Sequence, residues 1–195
     1  MNRNEQHRNV FLIRHAITIP SGFLFGRKDA NVDELNDREK KWLKEQVSHC
    51  EVFYSSPARR CVETLKSVFP DKRAFKTIDA FWEQDFGDWE GLLYSDLPDI
   101  GTLSGDDLAC FRPPNGESFM DLCERANPAF LNLLVEEKAR NIVIFAHAGV
   151  IRAFLALAFS STEAALKCEI DVLSLTRLKV FSKLKFSVVC VNASN

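Results

Sequence analysis

The sequence lacks the features that mark membrane-bound and nucleic-acid-binding proteins. None of its apolar runs is long enough to span a bilayer, and residues 1–9 are too polar to form the core of a signal peptide. The formal net charge is only -2, and no run of Lys and Arg offers a basic surface to lipids or nucleic acids. We therefore expect a cytoplasmic protein that binds neither membranes nor nucleic acids.

Motifs for metals and nucleotides are missing as well. The six cysteines are scattered, with no C-x-x-C and no paired Cys/His spacing, so we expect reduced, mostly buried thiols and neither a metal nor another cofactor. No G-x-x-x-x-G-K-[ST] motif occurs, which sets P-loop phosphate chemistry aside. A small anionic substrate would have to be held by a local group of charged side chains.

What is present is an ordinary globular composition, with 46% hydrophobic and 27% charged residues. A chain of 195 residues can bury a substantial core and lies within the size range of one domain. We expect residues 1–195 to form a single domain. The sequence leaves the oligomeric state open, with a homodimer among the alternatives.

Short apolar runs alternate with helical patterns along the chain. The runs with the length and composition of buried strands are residues 9–13, 51–54 and 141–146. Helices are expected at about 34–48, 57–69, 119–139 and 149–159. Alternating patterns at 172–180 and 185–191 are typical of strands near a sheet edge. The order predicts an α/β fold, a three-layer α/β/α sandwich with a mostly parallel central sheet.

Local signals predict where two of these helices begin and where a loop lies. Ser56 suits the N-cap and Pro57 the first position of the second helix, and Ser118 with Asp121 resembles a capping box. Residues 97–116 are rich in Pro, Gly and Asp, so we expect a loop that covers the ligand site.

Two of the four histidines stand where a ligand is expected. In sheets of this kind, ligands bind beyond the carboxyl ends of the strands, and Arg14-His15 and His147 each follow a predicted strand. His7 lies in a polar segment and His49 near a helix end, which favours structural roles for both. We therefore expect His15 and His147 to lie close together.

Phosphoryl transfer matches these residue types. It requires cations for the phosphoryl oxygens, an in-line nucleophile and a proton for the departing oxygen. Arginine forks can bind the oxygens, but helical spacing does not distinguish Arg60 from Arg59. The acidic residues of one loop are equally hard to separate as the proton donor; they are Glu83, Asp85, Asp88 and Glu90.

Five segments in chain order resemble the histidine phosphatase superfamily, in its phosphoglycerate-mutase-like branch. The segments are L-I-R-H-A-I-T (12–18), S-S-P-A-R-R-C-V-E-T (55–64), F-W-E-Q-D-F-G-D-W-E-G (81–91), N-G-E-S (115–118) and A-H-A-G-V-I-R (146–152). The resemblance covers nearly the whole chain and implies a metal-independent phosphatase with a phosphoglycerate-mutase-like fold.

The resemblance also implies a role for each residue of the site. His15 would take the phosphoryl group, Arg14, Arg60 and His147 would hold its oxygens, and Glu83 would protonate the leaving group. An acceptor such as a backbone carbonyl should then hold the other ring N–H of the nucleophile. The residues implied to contact a small phosphorylated substrate are Thr18, Ser21, Phe25, Gly26, Arg27 and Ala148.

The sequence departs from the pattern at three of these positions. Ala16 and Ala148 stand where the family usually has glycine, which would strain an alanine if the backbone φ were positive. Ser21 stands where many members have an asparagine that contacts phosphate, and we expect its hydroxyl to substitute.

The segment F-G-R-K-D (25–29) and the W-E-G turn (89–91) are most similar to α-ribazole phosphatases, which implies a 5′-phosphatase of cobalamin biosynthesis. The alternative is a broad-specificity phosphatase for small molecules or sugar phosphates. A phosphoglycerate mutase is disfavoured because the chain is short. An inactive binding module is disfavoured because the implied site residues are all present, and a two-histidine nuclease because no basic patch occurs.

Overall fold

The computed structural model describes residues 7–72 and 74–195. The strands are β1 (Arg8–Arg14), β2 (Thr18–Ile19), β3 (Asn31–Val32), β4 (Val52–Ser55), β5 (Lys76–Thr77), β6 (Asn141–Ala146), β7 (Leu175–Val180) and β8 (Phe186–Ala193). The α-helices are α1 (Asp37–Val47), α2 (Arg59–Val68), α3 (Gly105–Cys110), α4 (Phe119–Glu136), α5 (Ala148–Phe159) and α6 (Thr162–Leu166).

Six strands form the central sheet in the order β5-β4-β6-β1-β7-β8. The first four are parallel to one another, whereas β7 runs antiparallel to β1 and β8 antiparallel to β7. In the register of β1 with β6, Arg14 pairs with Ala146, so His15 and His147 follow two neighbouring strands. The amide of His15 donates to the carbonyl of Ala146 at 3.0 Å, which fixes the chain beyond the strand ends.

The central strands divide their side chains between two cores. On β6, Ile142 and Ile144 face the core that contains α4 and α5, whereas Val143 and Phe145 face the core that contains α1 and α2. This alternation follows from the two-residue period of a strand, and burial on both faces explains why the strand is continuously apolar. The three-layer α/β/α sandwich with a mostly parallel sheet is therefore confirmed.

The predicted strands and helices are all present, and most of their boundaries shift by a few residues. The strand over 141–146 is confirmed residue for residue, and the capping box of Ser118 and Asp121 opens α4. The prediction for the second helix was wrong at its start, because α2 begins at Arg59 with Ala58 as its N-cap. The Ser56 hydroxyl instead lies 2.8 Å from the ring Nε2 of His147 and accepts from the amide of Ala58 at 3.2 Å.

The first helix and the edge strands also differ from the prediction in extent. α1 begins at Asp37 rather than residue 34, because the Asn36 side chain accepts from the amide of Glu39 and caps it there. β7 begins at Leu175 rather than residue 172, and β8 continues to Ala193 as the outermost strand.

The segment 97–116 is not a plain loop. It contains α3, which begins where the Ser104 hydroxyl accepts from the amide of Asp107. Ala109 of this helix is fully buried in the core that contains α4 and α5. A six-residue helix is too short to be recognised from hydrophobic periodicity, so the Pro and Gly content misled the prediction.

Within the described ranges, no helix combines the length and the apolar character needed to cross a membrane. The six cysteines are free thiols, of which three are buried, two half-buried and one, Cys110, exposed. The thiols are thus less buried than expected. The cytoplasmic location, the single domain and the homodimer stay predictions.

Candidate active site

A cavity of about 530 Å³ opens at the carboxyl ends of β1 and β6. Arg14, His15 and Glu83 line it together with the N-terminus of α5. The remaining lining residues are Thr18, Phe23, Leu24, Phe25, Gln84, Phe86, Tyr94, Phe119, Arg152, Leu166, Glu169, Ile170 and Asp171. The position agrees with the rule that ligands bind beyond the carboxyl ends of parallel strands.

His15 is held as a neutral ring with one defined tautomer. Its Nδ1 lies 2.7 Å from the carbonyl oxygen of Ala16, and because a carbonyl only accepts, Nδ1 carries the proton. Burial lowers the pKa of His15 well below its usual value, and the charges of Arg60 and Arg14 lower it further. Nε2 therefore keeps its lone pair, which is the form of imidazole that can act as a nucleophile.

His147 lies behind His15 and is fully buried. The two ring centroids are 5.2 Å apart in an edge-on arrangement. Nδ1 of His147 accepts from Nε of Arg60 at 3.2 Å, so Nε2 carries the proton and donates to the hydroxyl of Ser56 at 2.8 Å. Burial lowers its pKa well below the usual value, with Arg60 and His15 adding to the effect.

Arg60 is also fully buried and does not line the cavity. Besides its bond to His147, its guanidinium donates to Asp29 at 3.0 Å, to the Lys28 carbonyl at 3.4 Å and to the Gly26 carbonyl at 2.7 Å. Four of its five N–H groups are thereby used. Its neighbour Arg59 instead points outward with a side chain 62% exposed, so the structure separates two arginines that the sequence did not.

Arg14 lines the cavity beside His15. Its Nη1 donates to the carbonyl of Ile170 at 2.6 Å, whereas its buried Nε has no hydrogen-bond partner among residues 7–72 and 74–195. Burial lowers the pKa of Arg14 from its usual value, and the charge of Glu83 opposes that effect. Beside it, Ala148 and Gly149 bring the N-terminus of α5 to the cavity, where helix N–H groups favour an anion.

Glu83 reaches the same cavity from a different segment of the chain. Its Oε1 accepts from the amide of Gln84 at 3.0 Å and its Oε2 from the amide of Gly149 at 3.1 Å. Glycine at 149 leaves room for this carboxylate, because a Cβ there would lie only 2.3 Å from Oε1 of Glu83. The other acidic residues of this loop are absent from the cavity wall: Asp85 binds the amide of Gly87, and Glu90 binds the backbone of 27 and 28.

The residues expected to contact substrate fall into two groups. Thr18, Phe25 and Ala148 line the cavity. Ser21 is exposed away from it, so its expected phosphate contact is not prepared in this structure.

Gly26 and Arg27 face other parts of the protein. The carbonyl of Gly26 binds Arg60, and Arg27 contacts Glu117 and the ring of Trp82. No residue of 97–116 lines the cavity either, so the expectation of a covering loop there was wrong.

Several cavity residues were not singled out from the sequence. Arg152 stands one helical turn beyond Ala148 and also lines the wall, with its Nε bound to the carbonyl of Cys168. It is the last residue of the A-H-A-G-V-I-R segment, so its i, i+4 spacing from Ala148 was a usable signal. Tyr94 and Glu169 carry no comparable pattern and are brought to the wall only by the fold.

A family model described as the histidine phosphatase superfamily (branch 1) matches residues 10–194. This chain belongs to the histidine phosphatase superfamily. The human protein named 6-phosphofructo-2-kinase/fructose-2,6-bisphosphatase 3 is 30% identical to it over 164 residues, which cover 80% of this chain and 30% of that protein. The chain thus spans less than a third of the length of this relative.

Solved structures that cover nearly the whole chain share its fold at lower sequence identity. A candidate α-ribazole-5′-phosphate phosphatase from Escherichia coli has a TM-score of 0.80 and 21% identity, with 95% of this chain and 96% of that chain covered. A mycobacterial glucosyl-3-phosphoglycerate phosphatase has a TM-score of 0.82 and 22% identity, with 96% and 100% covered. At these identities the likeness establishes the fold alone.

The two alanines at usual glycine positions of the superfamily are accommodated without strain. Neither Ala16 nor Ala148 is among the residues with positive φ. Ala148 is the first residue of α5, and Ala16 is buried with its amide bound to the hydroxyl of Thr64 at 2.9 Å. Neither backbone therefore needs the freedom of glycine.

The positive charge at the site is carried by side chains. In the part of the chain that the structure describes, no group of three or more His, Cys, Asp or Glu side chains is arranged to hold a metal ion. The positive groups at the site are arginines, and metal independence stays a prediction.

Proposed function

We propose that this chain hydrolyses phosphate monoesters of small molecules through a phosphohistidine at His15. The observation that carries the proposal is the hydrogen bond from Nδ1 of His15 to the Ala16 carbonyl, which leaves Nε2 as a neutral nucleophile in the cavity wall. Arg14 and the N-terminus of α5 line the cavity beside it, and guanidinium groups and helix N-termini bind phosphoryl oxygens.

In the first half of the reaction, Nε2 of His15 attacks phosphorus and forms a P–N bond as the P–O bond of the ester breaks. Glu83, in its protonated form, gives its proton to the departing oxygen, which leaves as an alcohol. In the second half, water attacks phosphorus while the Glu83 carboxylate takes a proton from it. The P–N bond breaks, and inorganic phosphate and the neutral histidine are released.

Arg60 and His147 support this chemistry from behind the cavity wall. Both are fully buried, and the two ring nitrogens of His147 are used by Arg60 and Ser56, so contact with phosphoryl oxygens requires these hydrogen bonds to rearrange when substrate binds. Independently of such contact, the Arg60 charge favours the neutral form of both rings. The role that we propose for Arg60 and His147 is to bind phosphoryl oxygens.

For the substrate we propose α-ribazole 5′-phosphate. The cavity wall carries the aromatic side chains of Phe23, Phe25, Phe86 and Phe119 together with Tyr94, and such a wall suits a leaving group with a flat aromatic base. The fold shared with the candidate α-ribazole-5′-phosphate phosphatase is compatible with this choice.

A broad-specificity or sugar-phosphate phosphatase is the second candidate. Arg152, Glu169 and Asp171 form a polar part of the same wall, and polar side chains of both signs can bind hydroxyl groups. The likeness to proteins named fructose-2,6-bisphosphatase and glucosyl-3-phosphoglycerate phosphatase adds support.

Rapid-quench labelling tests the mechanism. Wild-type protein mixed with ³²P-labelled substrate should yield an acid-labile phosphohistidine, and His15→Ala should yield none and lose turnover. If His15→Ala kept substantial turnover and wild type trapped no intermediate, the proposal would be overturned. A separate hydrolysis screen with α-ribazole 5′-phosphate, sugar phosphates and phosphoglycerates decides the substrate by the rank order of kcat/KM.

A further inference from the structure

One guanidinium fastens the segment that carries Glu83 to helix α4. Nη1 of Arg125 donates to the carbonyl of Ala80 at 2.8 Å and to the carbonyl of Trp82 at 3.0 Å, and Nη2 donates to the carbonyl of Glu83 at 3.3 Å. Three carbonyls within four residues of chain therefore end on one side chain. The position of the Glu83 backbone depends directly on that of Arg125.

Glu117 completes the coordination of Arg125. Its Oε1 accepts from Nε at 3.1 Å and its Oε2 from Nη2 at 2.7 Å, which is the two-pronged pairing of a guanidinium with a carboxylate. The one Nε hydrogen and four Nη hydrogens of Arg125 thus meet five acceptors. Lysine has only three donors on a single atom, so it cannot reproduce this set.

Glu117 also binds the residues that follow Glu83. Its Oε2 accepts from the amide of Asp85 at 3.1 Å, and its carbonyl accepts from the side chain of Gln84 at 2.7 Å. Its amide donates to the carbonyl of Asp85 at 2.7 Å. Burial raises the pKa of Glu117, but the hydrogen bonds from Arg125 and Asp85 and nearby charges outweigh it and lower the pKa. The pair is therefore charged, and the Glu83 segment is held on both sides.

We propose that Arg125 and Glu117 are positioning residues for the proton donor, a role that rests on the proposed function of Glu83. Neither residue forms part of the cavity wall, so the role we assign them acts through Glu83 and not through a contact with the substrate. They fix the backbone of 80–85, while the amides of Gln84 and Gly149 fix the carboxylate itself. A displacement of the segment would move the donor away from the departing oxygen and leave the nucleophile in place.

The test compares two substrates that differ in their need for a proton. Phenolate leaving groups such as p-nitrophenolate depart with little protonation, whereas alkoxides from glycerol phosphate need it. We expect Arg125→Lys to lower kcat/KM for glycerol phosphate by roughly 10-fold or more and kcat/KM for p-nitrophenyl phosphate by less than about 3-fold. The ratio kcat/KM is compared because it reports the transfer to His15 and excludes the later hydrolysis of the phosphohistidine, which uses Glu83 with either substrate. Glu117→Gln should show the same pattern, because the glutamine keeps the shape and loses the charge.

A matched control is Arg112→Lys, which alters an ion pair to Asp121 at 2.7 Å at the start of the same helix but on an exposed surface. Arg112→Lys should leave the activity on both substrates unchanged. The proposal would be overturned if Arg125→Lys and Glu117→Gln lowered kcat/KM equally for both substrates and also lowered Tm. That result would indicate a structural role only. If Arg125→Lys fails to fold, Glu117→Gln alone decides.

Glu83→Gln separates this proposal from the proposed function. If Glu83→Gln itself shows no preference for the good leaving group, the assignment of Glu83 as proton donor fails. If Glu83→Gln shows the preference and both Arg125→Lys and Glu117→Gln do not, the donor stands and the positioning role is wrong.

Discussion

Replacing Gly149 by alanine should disable Glu83 without unfolding the protein. A Cβ at 149 would lie 2.3 Å from Oε1 of Glu83 and 3.0 Å from Cδ2 of Leu122. Since carbon and oxygen ordinarily approach to no less than about 3.3 Å, the carboxylate must retreat by roughly 1 Å. A misplacement of that size costs up to about 10²-fold in rate. The displaced group is the far end of a flexible side chain, so we expect little change in the free energy of unfolding.

The assay measures kcat/KM for glycerol phosphate and for p-nitrophenyl phosphate with Gly149→Ala, Glu83→Gln and the double variant, together with Tm; kcat/KM reports the transfer to His15 and excludes the hydrolysis step. We expect Gly149→Ala to slow the alkyl substrate selectively, at a Tm close to that of wild type. In the double variant alanine should add nothing, because two changes that act through one group are not additive. Wild-type turnover of glycerol phosphate by Gly149→Ala would refute the reasoning, and so would a multiplicative loss in the double variant.

Three further results are expected. EDTA should leave turnover unchanged, because arginines supply the positive charge at the site, and a loss that added metal restores would contradict this. Arg60→Lys should lower kcat/KM by roughly 10- to 100-fold, because it loses at least one charge-assisted hydrogen bond worth about 1.5–3 kcal/mol. The control is Arg59→Lys at the exposed neighbouring position, which should keep kcat/KM near the wild-type value. Burial and the charge of Arg60 hold the pKa of His15 and of His147 below the usual 6.5, so below that pH the unfolded chain binds more protons at these rings than the folded protein does. The free energy of unfolding, measured by urea titration, should therefore fall as the pH drops below about 6.5, by up to about 1.4 kcal/mol per pH unit for each ring. His147→Asn should reduce that slope, and a flat profile in wild type would contradict the assignment of neutral rings.

The sequence predicted those parts of the fold whose signals are local. Residues 142–146 of β6 are all buried, so the apolar run marks the strand, and the capping box of Ser118 and Asp121 depends on four consecutive residues. The start of α2 was misjudged because the Ser56 hydroxyl lies against His147, 91 residues away in the sequence. β5 escaped prediction because it has two exposed residues and therefore no pattern of burial.

The same distinction holds at the site. The positions of His15 and His147 follow from the strand ends, which can be read from the sequence, and the structure brings their rings to 5.2 Å. The importance of Gly149 and Arg125 cannot be read in this way. Gly149 lies against Glu83, 66 residues earlier, and Arg125 binds carbonyls more than 40 residues earlier. Such contacts depend on the packing of α4 and α5 and have no local signature.

The buried charge of Arg60 gives the segment 26–29 a role different from the one that its resemblance to α-ribazole phosphatases suggested. A fully buried guanidinium is tolerated only when it is paired, and here Asp29 provides the carboxylate and Gly26 a carbonyl. Asp29 also accepts from the amide of Arg59, so the same carboxylate fixes the start of α2. The carbonyls of Gly26 and Lys28 and the carboxylate of Asp29 therefore hold the arginine behind the histidines. We expect discrimination among substrates to depend on the wall of the cavity, which includes the aromatic rings of Phe25 and Tyr94 and the charge of Arg152. Substitutions at these three residues should change the rank order of kcat/KM among substrates more than substitutions at Gly26 or Asp29.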